Sequence, residues 1–375
     1  MRLVHAEFRN FRNLTDFSIE PEAGINVIYG DNAQGKTSVL EGIYYLCTGR
    51  SFRTRYDREA IAWHRNDAAL TSLDGEIEKE NLRHRLRVVI TDEEKHVFVD
   101  DKAIVRLGLL WGQFNTVVFT PDDLQLVKGS PTVRRQFLDM ELSRIHPIYL
   151  YNLQRYYEAL AQRNALLKQS LSLDLLEQNL AAWDEQLAEY GAELFKQRQR
   201  QLVLLEKQAA EHYRAIVENE NEVLTIHYEN FLRTSEDISA QDARDRFKAL
   251  LTRAREDDIR RGATHIGPHR DDFVLRLEDR EARDFASQGQ QRSIVLSIKI
   301  ALVGLIERES ATPPMLLFDD LTSELDELRR ARLLTFLQGP RQIFLTTTDR
   351  RFFRDMPGVR KSFLVQSGRL LPEES

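Results

Sequence analysis

Cysteine is almost absent from this chain of 375 residues: Cys47 stands alone, so no internal disulfide can form and a reducing compartment is the simplest setting. Long apolar runs are missing too. No uninterrupted stretch approaches the ~18 residues that a membrane span needs, and Met1 to Phe8 carry Arg2 and Glu7, so neither a targeting signal nor a membrane partner is expected. Positive charge is not in surplus. The 53 lysines and arginines face 59 aspartates and glutamates, a formal net charge of −6, which weighs against a protein that coats nucleic acid by bulk charge. Any DNA contact must come from a local basic surface.

Proline is missing from the middle of the chain. Between Pro147 and Pro268 the only glycines are Gly191, Gly262 and Gly267, while leucine, glutamate, glutamine and alanine dominate, which predicts long helices. Within them Leu176, Leu180, Trp183, Leu187, Tyr190 and Leu194 recur at alternating spacings of four and three. That pattern suits the seam of a short coiled coil or helical hairpin, or an amphipathic helix packed on a core. A strand is expected at Val223 to Tyr228.

What is present on either side is α/β in character. Apolar runs at Ile25 to Tyr29, Leu86 to Ile90 and Thr116 to Phe119 precede the helical insertion. Phe273 to Leu277, Met315 to Phe318 and Ile343 to Thr347 follow it. The expected fold is therefore an α/β head built from two outer segments, 1–125 and 262–375, with an inserted, mostly helical arm at 126–261.

The strongest motif is Gly30-Asp31-Asn32-Ala33-Gln34-Gly35-Lys36-Thr37, between the strand Ile25 to Tyr29 and a helix that opens at Ser38. Glycines at both ends let the backbone wrap phosphate oxygens, helix-terminal amides face the anion, and Lys36 supplies a compact charge for the β and γ phosphates of ATP. Thr37 offers a hydroxyl to Mg2+. A partner motif is the strand Met315 to Phe318, which ends in Asp319 and Asp320. Asp319 suits the magnesium, and Asp320 sits where a base takes a proton from attacking water. Being shorter than glutamate, it predicts slow turnover.

Ser287-Gln288-Gly289-Gln290-Gln291-Arg292 opens another helix. A hydroxyl and a glycine at a helix start form an anion site with no phosphate in its own P-loop to serve, although Ser287 with Gln290 also fits a plain capping box. The run resembles the signature motif of ABC-type ATPases, in which serine and glycine of one subunit touch the γ-phosphate held by another. Leu321 to Asp326 is similar to their D-loop. The order of these elements around a helical insertion is that of the ABC/SMC class.

Within that class, Asn10-Phe11-Arg12-Asn13-Leu14, Gly49-Arg50-Ser51-Phe52-Arg53, Phe119 to Leu124, Arg134 to Asp139 and Gly267-Pro268-His269-Arg270-Asp271-Asp272 resemble the RecF family along essentially the whole chain. The resemblance implies a cytoplasmic, nucleoid-associated DNA repair ATPase with an SMC-like head and a short helical lobe. It further implies an ATP-dependent homodimer on gapped DNA or junctions between single and double strands, working with RecO and RecR to load RecA in recombinational repair and replication restart. Carried over, Lys36, Thr37, Asp319, Ser287, Gly289 and Asp326 match the shared ATPase positions, and Arg12 meets nucleotide. No histidine follows Thr347-Thr348-Asp349, leaving Thr347 and Thr348 as γ-phosphate sensors; Gln113 and Gln125 both suit the Gln-loop. Arg50, Arg53, Arg55, Arg134 and Arg135 are the candidate DNA contacts, with Arg198, Arg200 and Lys207 on the arm. The competing readings are a transporter-type ATPase subunit and an architectural clamp with negligible hydrolysis.

Overall fold

The computed structural model describes residues 1–54, 56–62, 70–169, 172–217, 219, 222–310, 312–320, 332–333, 335–336, 339–348 and 358–371. Arg55, Asp326, Asp349 and the D-loop-like run 321–326 lie outside them. The first stretch runs β1 (Arg2–Phe11), β2 (Leu14–Ile19), β3 (Ile25–Tyr29), α1 (Lys36–Thr48), β4 (Thr71–Lys79), β5 (Leu82–Ile90), β6 (Lys95–Val99), β7 (Lys102–Ala103) and β8 (Thr116–Phe119). Next come α2 (Gln125–Lys128), α3 (Pro131–Ile145), α4 (Pro147–Leu166), α5 (Leu173–Val217), β9 (Leu224–Glu229) and α6 (Ala240–Arg261). The chain continues through β10 (Asp272–Leu277), β11 (Arg280–Glu281), α7 (Ala282–Phe285) and α8 (Gln288–Ser310) to β12 (Met315–Phe318), β13 (Ile343–Thr347), β14 (Val359–Gln366) and β15 (Arg369–Leu371).

Two compact units result, Met1–Asp123 with Leu302–Ser375, and Leu124–Ala301. In the first, β3 and β8 from the N-terminal segment join β12 to β15 in one sheet of order β15-β14-β3-β13-β12-β8, so the outer segments do form halves of a single sheet. Its strands are parallel except at the β15 edge. Strands β3, β12 and β13 are buried at every position, the apolar pattern of a sheet covered on both faces. A second sheet, β2-β1-β4-β5-β6-β7, is antiparallel. Helix α1 packs on strands of both sheets, which explains why it is buried on nearly every side; Phe8, Phe17, Leu40, Ile43, Val88, Leu317 and Phe344 share this core. The buried amide of Gln342 ties the sheets together, accepting from the Leu3 N–H at 2.6 Å and donating to its carbonyl at 2.9 Å.

In the second unit α5 packs against α4 and α6. Leu176, Leu180, Leu187 and Leu194 are buried along α5, whereas Trp183 and Tyr190 are only half-buried, so the seam is filled by neighbouring helices of the same chain. Arg163, fully buried, lies 2.7 Å from both Asp184 and Asp258. By packing, residues 262–301 fall here rather than with the head-like sheets. The reason is local: β10 pairs antiparallel with β9, and Asp271 and Asp272 form ion pairs with Arg198 and Arg134. Helix α8 is long and apolar enough by length and composition to cross a membrane, although charged and polar residues interrupt it; 78% of its most apolar window is buried inside the protein, as in a core helix.

Candidate nucleotide-binding site

Strand β3 delivers the chain into Gly30 to Gly35 at the C-terminal edge of the parallel sheet, and α1 leaves from Lys36. Both end glycines adopt positive φ, +150° and +113°. A Cβ on Gly30 would stand 2.3 Å from the Val365 carbonyl oxygen, and one on Gly35 would press on Asn13 and Leu14 at 3.1 Å. Two turns brace the loop. Asn13 accepts from the Ser38 hydroxyl at 2.8 Å and donates to Ala33 O at 3.4 Å. On the other flank the β14–β15 turn donates through Ser367 N to Gln34 Oε1 at 2.7 Å and through Gly368 N to Gln34 O at 2.9 Å. Lys36 spans the loop, with Nζ donating to Gly30 O at 2.8 Å and Asp31 O at 2.7 Å. Burial lowers its pKa, opposed by the charges of Asp320, Asp319 and Asp31.

The second motif meets the first. Thr37 Oγ1 donates to Asp319 Oδ1 at 2.8 Å, across the whole helical insertion. Thr346, on β13, donates to the same oxygen at 2.9 Å and accepts from the Asp320 N–H at 2.9 Å. Burial raises the Asp319 pKa, the hydrogen bonds from Thr37 and Thr346 oppose it, Asp320 adds to it, and the charge of Arg53 pulls it down. Asp320 takes φ of +47°, a left-handed conformation rare for a residue with a side chain. A hydroxyl paired with a carboxylate beside the phosphate loop suits Mg2+, which takes one or two protein oxygens and keeps water on its other positions. Among the described residues no cluster of three or more His, Cys, Asp or Glu side chains forms a separate metal cage.

Several expected residues take other places. Arg12 is tied to the buried Glu41 at 2.6 Å and to the Glu59 carbonyl, and Arg53 reaches the same Glu41 at 3.2 Å. Arg134, expected to meet DNA phosphate, is instead buried, with Nε and Nη2 on Asp272 at 2.8 and 2.6 Å, and is no surface phosphate contact. Arg198 is likewise interior, held by Asp139, Tyr149 and the Pro268 carbonyl. Arg135 donates to Asp271 O at 2.7 Å and to Thr132. Arg50 lies exposed over the Trp111 ring. Gln113 precedes β8, at the end of the parallel sheet opposite the P-loop, and donates to Leu109 O. On β13 Thr346 touches Asp319, and Thr347 and Thr348, the candidate γ-phosphate sensors, follow it in the chain.

In the second unit Ser287 and Gln290 form the capping box. Gln290 Oε1 accepts from Ser287 N at 2.8 Å, and Ser287 Oγ accepts from Gln290 N at 3.3 Å. Ser287 and Gln288 stay exposed at the start of α8. Glu41, Asn13, Thr346 and Ser367 were missed as site residues. Two of them carry a sequence signal: Asn13 lies in the Asn10 to Leu14 motif, and Glu41 is a single carboxylate inside the apolar helix that follows the P-loop.

A P-loop at the edge of a two-segment sheet, Asp319 beside it and a helical insertion between them define an ABC/SMC-type P-loop ATPase head. Residues 2–370 match the model of the RecF/RecN/SMC N terminal domain. Among curated relatives, the DNA replication and repair protein RecF of Lactobacillus delbrueckii subsp. bulgaricus is 41% identical over 380 residues, covering 100% of this chain and 98% of its own. That of Halalkalibacterium halodurans is 40% identical over 348 residues, covering 93% and 92%. The chain belongs to the RecF family. A solved structure of the recombination mediator protein RecF-ATP in the RecFOR pathway superposes with a TM-score of 0.90 at 32% identity, covering 99% of this chain and 98% of that one. An Smc head bound to the C-winged helix domain of ScpA shares the fold alone, at a TM-score of 0.58 and 13% identity, over 99% and 96% of the two chains.

Proposed function

We propose that this chain is an ATP-dependent, DNA-binding recombination mediator that closes as a homodimer on its nucleotide and hydrolyses it slowly. The observation that carries the reading is the 2.8 Å contact between Thr37 and Asp319, which joins the two distant halves of one nucleotide site. In this reading the loop amides and Lys36 bind the β and γ phosphates, Thr37 and Asp319 hold Mg2+, and Asp320 accepts a proton from the attacking water. The ion, when bound, neutralises phosphate charge and withdraws electrons from the transferring group. Ser287, Gly289 and Gln290, exposed or half-exposed at the start of α8, serve the nucleotide of a second copy. Asp326 belongs to the same closure. By role, then, the head comprises 1–125 and 262–375 and the arm 126–261.

Gapped duplex and junctions between single and double strands are the expected DNA, gripped through phosphates and without sequence preference. Arg50 and Arg53, with Arg200 and Lys207 on the arm, are the exposed candidate contacts. RecO and RecR as partners, RecA loading downstream and a cytoplasmic, nucleoid-associated location draw support from the repair and RecFOR names of the relatives. Sedimentation velocity without nucleotide, with ADP and with ATP, each with and without gapped duplex, tests the reading. ATP alone should produce dimer, gapped DNA should increase it, and Lys36→Arg should abolish it. A wild type that stays monomeric with ATP and ignores DNA refutes the proposal.

A further inference from the structure

Glu41 is fully buried on α1, one helical turn beyond Thr37, and the phosphate chemistry makes no use of it. A carboxylate withdrawn from water is costly unless its oxygens are satisfied. Here they are saturated. Arg12 Nη2 donates at 2.6 Å and its Nε at 3.0 Å, Arg53 Nη1 at 3.2 Å and Ser51 Oγ at 2.5 Å, which fills a carboxylate's acceptor positions. Two guanidinium charges therefore face one carboxylate. Arg12 with Ser51 would already neutralise and solvate Glu41, so the need to stabilise a buried charge accounts for one arginine and not for the second.

The surplus charge sits beside the phosphate loop. Arg12 directly precedes Asn13, whose side chain holds both Ser38 and Ala33. Arg53 keeps a side-chain exposure of 44%, against 18% for Arg12, and touches Glu41 through one nitrogen only. Its charge also reaches Asp319. Without Glu41 the two cations would repel each other and lose their common anchor. With it they stand fixed before an anion arrives, so less side-chain freedom is lost on binding.

We infer that Glu41 is a positioning residue for the nucleotide polyphosphate, anchoring Arg12 and Arg53 side by side so that their net positive charge flanks the phosphate loop. This rests on the nucleotide reading proposed above. The test is a double-mutant cycle on the full chain, reading the Kd of a fluorescent ATP analogue for wild type, Glu41→Gln, Arg53→Ala and the double variant. Each single change should weaken binding about tenfold, and the double variant should bind no worse than about threefold below the weaker single. A double variant weakened by about a hundredfold means independent effects and overturns the inference. If Glu41→Gln does not fold by circular dichroism, Ser51→Ala, which trims one donor from the same carboxylate, replaces it with the same non-additivity expected. A wild type that binds no ATP sinks the nucleotide reading and this inference with it; wild-type binding with additive singles sinks the Glu41 role alone.

Discussion

Replacing Arg134 with methionine separates two roles that the sequence could not distinguish. In the structure the Arg134 side chain is 8% exposed and the Asp272 side chain 10%, and the pair shares two hydrogen bonds, with a third from Arg134 Nη1 to Gly129 O at 2.9 Å. Methionine fills similar volume but leaves Asp272 buried with only the Phe273 N–H, at 2.8 Å, among its recorded donors. Breaking a buried pair from one side costs about 3–5 kcal/mol, and the remaining N–H argues for the lower end, about 3 kcal/mol. For a unit of this size that corresponds to a fall in Tm of roughly 6–12 °C. The assay pairs thermal unfolding, followed by circular dichroism, with DNA affinity measured across a salt series. Stability should fall while the slope of log Kd against log salt stays at its wild-type value. An unchanged Tm together with a slope smaller by about 0.9, the signature of one lost phosphate contact, would refute the interior assignment.

Two further outcomes follow from the geometry. Thr346→Val keeps the shape of β13 but removes the hydroxyl between Asp319 and the Asp320 N–H, so ATP turnover should drop by about 10–100-fold while ATP affinity changes less than about threefold; equal losses in both would contradict it. His269 faces the Thr264 carbonyl through Nε2, which must donate, leaving Nδ1 to accept from the Tyr156 hydroxyl at 2.6 Å, and burial pushes its pKa down to about 4. Between the ordinary value of 6.5 and about 4 the unfolded chain takes up a proton that the folded one refuses. The His269 contribution to stability, present above pH 6.5, should therefore be lost as pH falls toward 4, by up to about 3 kcal/mol, while Asp271, raised to about 6 by burial, contributes in the opposite sense; His269→Gln should remove the His269 share, so that the variant gains on the wild type as pH falls. Identical pH slopes in the two proteins would count against it.

The parts of the fold that were readable are those encoded locally. The five apolar residues of β3, the glycines of the P-loop and the aspartates after β12 each announce themselves within a few positions, as does the capping box of Ser287 with Gln290. The unreadable parts depend on partners far along the chain. Nothing near Arg134 or Arg198 distinguishes a solvated arginine from one buried against Asp272 or Asp271, because the carboxylates arrive from another segment. The same holds for Thr346: β13 offers adjacent hydroxyls, and strand pairing decides which faces Asp319. Residues 262–301 look like a return to the head by pattern, yet β10 finds its hydrogen-bonding partner in β9. Glu41 was legible in principle, since a charged residue amid Val39, Leu40, Ile43 and Tyr44 has to be paired.

Whether the Ser287 turn of one copy completes the P-loop of another is tested most directly by mixing two inactive proteins. Lys36→Ala loses the P-loop and keeps Ser287, while Ser287→Arg does the reverse. A heterodimer of the two contains one pocket with both halves intact. Each variant alone should show no ATP turnover, and an equimolar mixture should regain about a quarter of wild-type activity if pairing is random, rising to about half if only mixed dimers, with one working site each, can close. A mixture as inactive as its components, or a Ser287→Arg protein active by itself, would contradict closure of two copies on shared nucleotide.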